Sequence, residues 1–367
     1  MENPEVTKET TQHEIVCKGC SSKLTYAAGT RNLKCSHCGT ENEIHVSTEI
    51  IEELDFEKFA NNFTEGSEIH EVVTVKCDAC GAQTSFEANV VSGNCPFCGS
   101  PIVVSAGTVH HSIQPKSLLP FAIDKKKAEG IYSQWLKKLW WAPNDLTNYA
   151  SQQGKLNGMY TPYWTYDAVT NTDYAGECGV DFSETEEYET LENGETVVRS
   201  RTVVRTIWYP VSGTVNNNFD DTLVVASQSL PIAITYKLEP WDLQNLIPFN
   251  PNYLAGYKTE SYQIELKEGF EIAKARMNDV ITQNVNAAIG GAHQRVFYMK
   301  TAYDNITFKH ILLPLYINSY RYKNKVYRFL INGRTGEVHG ERPYSWVKIT
   351  LSILAAITIL AILVYVI

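Results

Sequence analysis

After residue 98 the chain carries a single cysteine, Cys178, although it has nine in all. That uneven distribution excludes the disulfide framework of a small secreted domain. The opening residues Met1-Glu2-Asn3-Pro4-Glu5 lack a basic stretch and an apolar run, so no cleaved signal peptide is expected and the thiols are expected to face a reducing compartment. Catalytic signatures are missing as well. There is no GxxxxGK[ST] phosphate loop, no GxGxxG after a strand, no GxSxG elbow and no HExxH helix. His13-Glu14 leads into Cys17 rather than a second histidine, and the adjacent His110 and His111 point different ways. The expectation is a protein that is not an enzyme. With 22 glycines and 14 prolines the chain is no collagen, and 44% hydrophobic with 20% charged residues is ordinary globular usage. Its 367 residues allow two or three folded units at roughly 150 each.

What is present is a duplicated cysteine pattern. Cys17, Cys20, Cys35 and Cys38 recur as Cys77, Cys80, Cys95 and Cys98, each displaced by 60 positions. A C-x2-C turn aims two thiolates at one ion, and two such turns at the ends of a short hairpin complete a four-sulfur tetrahedron. Zinc fits this donor set best, with iron the alternative. Four protein ligands leave no open position, so both sites are expected to be structural. Gly39, Gly81 and Gly99 follow the second cysteine of a pair, where a tight knuckle needs positive φ, and Ser21 takes that place in the fourth pair.

Positive charge is scarce in the same third. Residues 1–101 hold seven Lys and Arg against sixteen Asp and Glu, a deficit of nine that equals the net charge of −9 for the whole chain. Nucleic-acid binding needs clustered bases to release counterions from phosphate, so the charge argues against that partner. A nucleic-acid-binding regulator at the membrane stays as the alternative reading.

Further along, Ala128, Ile131, Tyr132, Trp135, Leu136, Leu139 and Trp140 have helical spacing, with Asp124 as cap and Pro143 as stop. The run Tyr160 to Ala168, aromatic and β-branched with Pro162 inside, reads as an edge strand. Residues 172–182 and 196–209 read as a β-arm around a turn at Asn193-Gly194. Across it Arg199, Arg201 and Arg205 face Asp181, Glu184, Glu186 and Glu187 in a charge ladder. A second helix is expected from about Leu266 to Ala288, stopped by Gly290-Gly291. Residues from Ile311 to His339 read as a strand meander.

The residues from Ile349 to Ile367 carry no charge over 19 positions. As a helix they span roughly 28 Å, close to the ~30 Å of a bilayer's hydrocarbon core. Arg334, Arg342 and Lys348 precede the segment, so the positive-inside rule leaves the N-terminal bulk in the cytoplasm of a single-pass protein in the cell membrane.

The two cysteine sets, the runs Leu119-Pro120-Phe121-Ala122-Ile123-Asp124 and Trp140-Trp141-Ala142-Pro143, and the stretch from Gly158 to Ala168 resemble bacterial zinc-ribbon proteins often labelled primosomal, PriA-like helicases. A helicase needs a phosphate loop, which this chain lacks. With the terminal apolar segment and Phe329-Leu330-Ile331-Asn332-Gly333-Arg334-Thr335-Gly336, the chain is more similar to YdjG-type membrane proteins. That resemblance implies an adaptor that acts with a second small membrane protein to bring a cytoplasmic SPFH-domain protein, linked to the phage-shock protein A system, to the lipid bilayer in envelope stress. The expected fold class is α+β. Two zinc ribbons (residues 1–60 with a linker, and 61–105) precede a mixed domain of antiparallel strands and two long helices (106–345) and a transmembrane anchor (346–367).

Overall fold

The computed structural model of the protein describes residues 16–45, 47, 49–61, 69–77, 82–85, 92–95, 97, 100–103, 108–146, 156–192, 195–323 and 325–366, and every structural statement below concerns these. Among them the fold is mixed α+β, with five α-helices and largely antiparallel sheets.

The first cysteine set is carried by a three-stranded antiparallel sheet of β1 (Leu24–Tyr26), β2 (Asn32–Cys35) and β3 (Glu41–Glu43). After it residues 49–53 form no regular element, and strand β4 (Leu54–Asp55) and helix α1 (Phe56–Asn61) follow. Around the second set, β5 (Ile69–Lys76) pairs with β6 (Gln83–Ser85) and β9 (Thr108–Ile113), and β7 (Ser92–Asn94) pairs with β8 (Pro101–Val103).

The rest is organised by one nine-stranded sheet. In chain order its region contains β10 (Ser117–Leu118), α2 (Lys125–Lys138), β11 (Asn157–Glu192), β12 (Glu195–Val225) and α3 (Ile232–Thr235). There follow β13 (Ile247–Pro248), β14 (Lys258–Thr259), α4 (Leu266–Ile289), β15 (His293–Tyr322), β16 (Lys325–Asn332), β17 (Val338–Gly340) and the C-terminal α5 (Trp346–Val366). The main path runs β12-β11-β15-β10-β13, with β4, β14, β16 and β17 paired off it.

Alternation along these strands sorts the core onto two faces. Tyr160, Trp164 and Tyr166 of β11, with Phe308, Leu312 and Tyr316 of β15, point to the face covered by the first cysteine module, α2 and α4. Met159 and Tyr163, with Ile311, Leu313, Leu315 and Ile317, point to the other, where Cys77, Ala82, Cys95 and Phe97 pack with Leu230, Leu238 and Trp241. Both faces are buried, which is why residues 159–168 and 311–317 read as near-continuous apolar runs.

Tyr160–Ala168 lies in the middle of the sheet and not at its edge. Pro162 is tolerated there because the register that β11 shares with β12 begins at Tyr163↔Val225, so its missing N–H falls beyond the end of β12, where its carbonyl accepts from the Ala226 N–H at 3.0 Å. Pro314 has the same solution on β15. It sits between the pairing with β10, which ends at Leu312, and that with β16, which begins at Leu315, and its carbonyl accepts from Gly333 at 2.8 Å.

Beyond the core, β11 and β12 continue as a hairpin arm paired residue by residue from Val169↔Asn218 to Glu192↔Glu195, and β15 lies along it as far as Gly179↔His293. The tip residues Asn193 and Gly194 lie outside the described residues. The expected charge ladder across the arm forms in part: Arg205 pairs with Glu184 at 2.8 Å and with Glu186, and Arg201 pairs with Glu186 at 3.2 Å, while Asp181 meets His293 at 3.1 Å and not an arginine. Helix α4 buries Phe270, Ala273, Met277, Ile281 and Val285 against the root of the arm, and Gly290 ends it with φ 72°. Helix α2 starts on Asp124, whose carboxylate accepts the Lys127 N–H at 2.7 Å. It stops at Lys138, two residues before Trp140, which is therefore exposed and not on the packed stripe.

Candidate metal centre

The Sγ atoms of Cys17, Cys20, Cys35 and Cys38 all lie within 4.8 Å of one another and could hold a metal ion. Two of the cross-pairs are Cys17–Cys38 at 3.5 Å and Cys20–Cys35 at 3.6 Å. These are far too long for a disulfide, and they approach the ~3.8 Å edge of a tetrahedron with about 2.3 Å metal–sulfur bonds. Each knuckle is built by the backbone. The Cys17 N–H donates to the Ser22 carbonyl at 2.8 Å, the Cys35 N–H donates to the Thr40 carbonyl at 2.9 Å, and the Gly19 N–H donates to the Cys17 sulfur at 3.4 Å. The chain turns back at Gly39 with φ 75° and at Ser21 with φ 57°, so serine adopts the conformation that glycine usually takes.

The Thr40 hydroxyl, 3.1 Å from the Cys38 sulfur, helps pull that thiol down to about 6, and the Ser22 hydroxyl lowers Cys20. Hydrogen bonds to a thiolate favour the charged, ligating form. Cys17 and Cys35 are buried while Cys38 is exposed, and His37 beside it is exposed, outside the cluster.

The module is fastened to the large domain, a feature with no sequence signal. Tyr26 donates its N–H to the Ala255 carbonyl at 2.8 Å and its hydroxyl to the Phe121 carbonyl at 3.2 Å, and the Gly29 N–H donates to Phe121 at 2.7 Å. A Cβ on Gly29, where φ is 79°, would lie 3.0 Å from the Ala122 carbonyl oxygen. The Phe121 ring stacks on Tyr257 at 4.2 Å and meets Tyr316 at 4.9 Å, so the clamp passes directly to the sheet.

Of the second set, Cys77 and Cys95 are described, both buried, while Cys80 and Cys98 lie outside the described residues, as do Gly81 and Gly99. A second four-sulfur cluster is therefore not part of the described structure. The backbone at the two visible cysteines repeats the first module: Cys77 N–H to Ala82 carbonyl and Cys95 N–H to Ser100 carbonyl, each 2.8 Å, and Phe97 N–H to Cys95 sulfur at 3.4 Å. Lys258, half-buried by the sheet, has Cys95 as an electrostatic neighbour.

A carboxylate group of Glu53, Asp167 and Asp220 also gathers within 4.8 Å. One of its members is paired inside the protein: Lys309, only 7% exposed, reaches Glu53 at 3.0 Å and also the neighbouring Asp221 at 2.8 Å. Burial raises Asp167 to about 6. Cys178 is half-buried beside α4.

At the other end of the chain, Trp346–Tyr365 is long and apolar enough to cross a membrane, with a mean hydropathy of 2.5 and none of it buried. The helix begins at Trp346, three residues before the uncharged segment.

No family model matches this chain, and no solved structure matches it. The chain is similar to the uncharacterized protein YdjG of Bacillus subtilis (strain 168), with 28% identity over 336 residues that make up 91% of each chain.

Proposed function

We propose that the protein is a membrane-anchored adaptor that binds two structural zinc ions and recruits a cytoplasmic protein to the bilayer. Cys17, Cys20, Cys35 and Cys38 hold the first ion. The repeated backbone bonds at Cys77 and Cys95 support the same role for Cys77, Cys80, Cys95 and Cys98 with the second. Zinc suits four thiolates because it has no geometric demand beyond the tetrahedron. Helix α5 crosses the cell membrane once, with the remainder cytoplasmic.

The observation that carries the adaptor reading is the arm. β12 is an edge strand of 31 residues with Val197, Val198, Val204, Ile207 and Tyr209 exposed along it. Natural proteins keep long apolar edges covered, and such an edge offers main-chain hydrogen bonds to an added strand. Val180 and Phe182 of β11 prolong the apolar surface on the face that α4 stops covering at Ile289. Tethering at a membrane raises the effective concentration of whatever binds there, so weak contacts suffice. The partner class that the YdjG-type resemblance implies, an SPFH-domain protein linked to the phage-shock protein A system, is the partner to test.

The test is co-purification of the full chain from membranes with a tagged SPFH-domain protein of the same cell, comparing wild type with Val204→Lys/Ile207→Lys. The adaptor reading expects capture by the wild type and at least a tenfold loss in the variant. Equal capture by both removes the arm from the proposal, and nucleic acid recovered without any protein partner overturns it. Metal analysis of the same preparation should return two zinc ions per chain.

A further inference from the structure

Four aromatic side chains surround the first turns of α5. Trp140 is 73% exposed and Trp346 81%, and Tyr344 and Trp141 are exposed beside them. A soluble surface has no reason to display such a cluster, whereas the headgroup layer of a bilayer favours amphipathic rings.

Three hydrogen bonds tie the domain to the start of the helix. The Ser345 N–H donates to the Trp141 carbonyl at 2.8 Å. The Lys348 ammonium donates to the carbonyls of Trp140 at 2.9 Å and Ala142 at 2.8 Å, and also lies over the Trp140 ring at 5.7 Å. The Trp140-Trp141 corner is thereby fixed against the side of α5. Between them runs a cleft of about 390 Å³, walled by Trp141, Tyr344, Ile349, Ser352, Ile353 and Ala356. Ile353 lies seven residues past Trp346, ~10 Å along the helix axis, and each headgroup layer is roughly 5–8 Å thick. With the helix in the bilayer, the corner that walls this cleft lies at interfacial depth.

Charge at this end suits an anionic surface. Lys137 and Lys138 close α2 next to the corner, and both are exposed. Lys323 and Lys325 flank the β15–β16 turn, which is brought to the same end by the 3.1 Å bond from Tyr322 to Asp145. Two acids on these elements are already engaged, Asp145 by Tyr322 and Glu341 by the Arg328 N–H, which its carboxylate accepts at 3.0 Å.

We propose that the Trp140-Trp141 corner inserts into the headgroup layer of an anionic membrane, so that the folded domain is seated on the bilayer in one orientation and does not swing on a tether. This rests on the reading of α5 as a membrane span, and the experiment separates the two. The full chain is reconstituted in vesicles of phosphatidylglycerol and phosphatidylcholine, part of the latter brominated to quench nearby tryptophan emission. Three of the seven tryptophans then face lipid, so Trp140→Phe/Trp141→Phe removes about two-thirds of the quenchable emission and Trp346→Phe about one-third. If Trp346→Phe removes all of it and the double variant none, the docking is overturned and the span stands. If no emission is quenched in any protein, the span fails and the docking with it. The single variant Trp140→Phe, at an exposed site, repeats the measurement should the double variant not fold.

Discussion

Ser21 and Gly39 occupy equivalent positions after the second cysteine of their pairs, and both adopt positive φ. A side chain in that conformation costs about 1 kcal/mol relative to glycine, partly offset by the freedom glycine gives the unfolded chain. Ser21→Gly is expected to stabilise the metal-loaded protein by about 0.5–1 kcal/mol, read as a rise in the denaturant midpoint at unchanged slope. Two buried titratable groups act in opposite directions. Glu260 is 2% exposed, and burial raises it to about 8 although the Ser227 hydroxyl donates to it at 2.8 Å. It keeps its proton while the unfolded chain releases it, so it withdraws stability as the pH rises from 4.5 to about 8. Burial lowers His310 to about 4, and its Nδ1 donates to the Ile113 carbonyl at 2.7 Å. It withdraws stability as the pH falls from 6.5 to about 4. Glu260→Gln is therefore expected to be more stable than wild type at pH 8, by more than about 1 kcal/mol, and to match it near pH 4. Denaturant titrations at the two pH values check this, and an unchanged difference between them would refute it.

Among the elements, α4 was legible to within a residue at its end because its apolar stripe and Gly290 agree on one helix. The strand character of Tyr160–Ala168 was equally legible, but its place was not. A proline argues for an edge only if its missing N–H would face a partner, and which carbonyls face Pro162 depends on where β12 ends, 63 residues away in sequence. The first half of β15, from His293 to Lys309, carries no strand signal in the sequence, because its residues are mostly polar and exposed with no apolar alternation. Its register with β11 includes a shift between Ala175 and Gly176, where a Cβ would lie 2.1 Å from the Arg295 carbonyl oxygen. Gly176→Ala is expected to force the strands apart and cost about 1–3 kcal/mol, visible as faster amide exchange along β15 from His293 to Met299.

For the whole molecule, clamping the cysteine module onto the sheet would link the stability of the large domain to an ion held by the module. A structural four-thiolate ion contributes on the order of 10 kcal/mol to the module that binds it. Removing it by chelation is expected to lower the melting temperature of the large domain as well as the module, because Tyr26 and Gly29 lose their fixed positions against Phe121. Tyr26→Phe deletes one of those bonds and should separate the two transitions in calorimetry. A domain transition indifferent to chelation would show that the module is an independent bead.

Local spacing was enough to identify the first four cysteines as one cluster that could hold a metal ion, the two long helices, the hairpin arm and the apolar terminal helix, because each depends on residues within a few turns or one hairpin of one another. Whether two modules 60 residues apart would share a face of the sheet or take opposite ones was decided only when β11 and β15 paired, since odd and even residues of the same strands then became the two floors. The seating of Trp140-Trp141 against α5 was decided in the same way: the contact joins residues about 200 positions apart through backbone carbonyls and one lysine, groups that carry no pattern in the order of the chain.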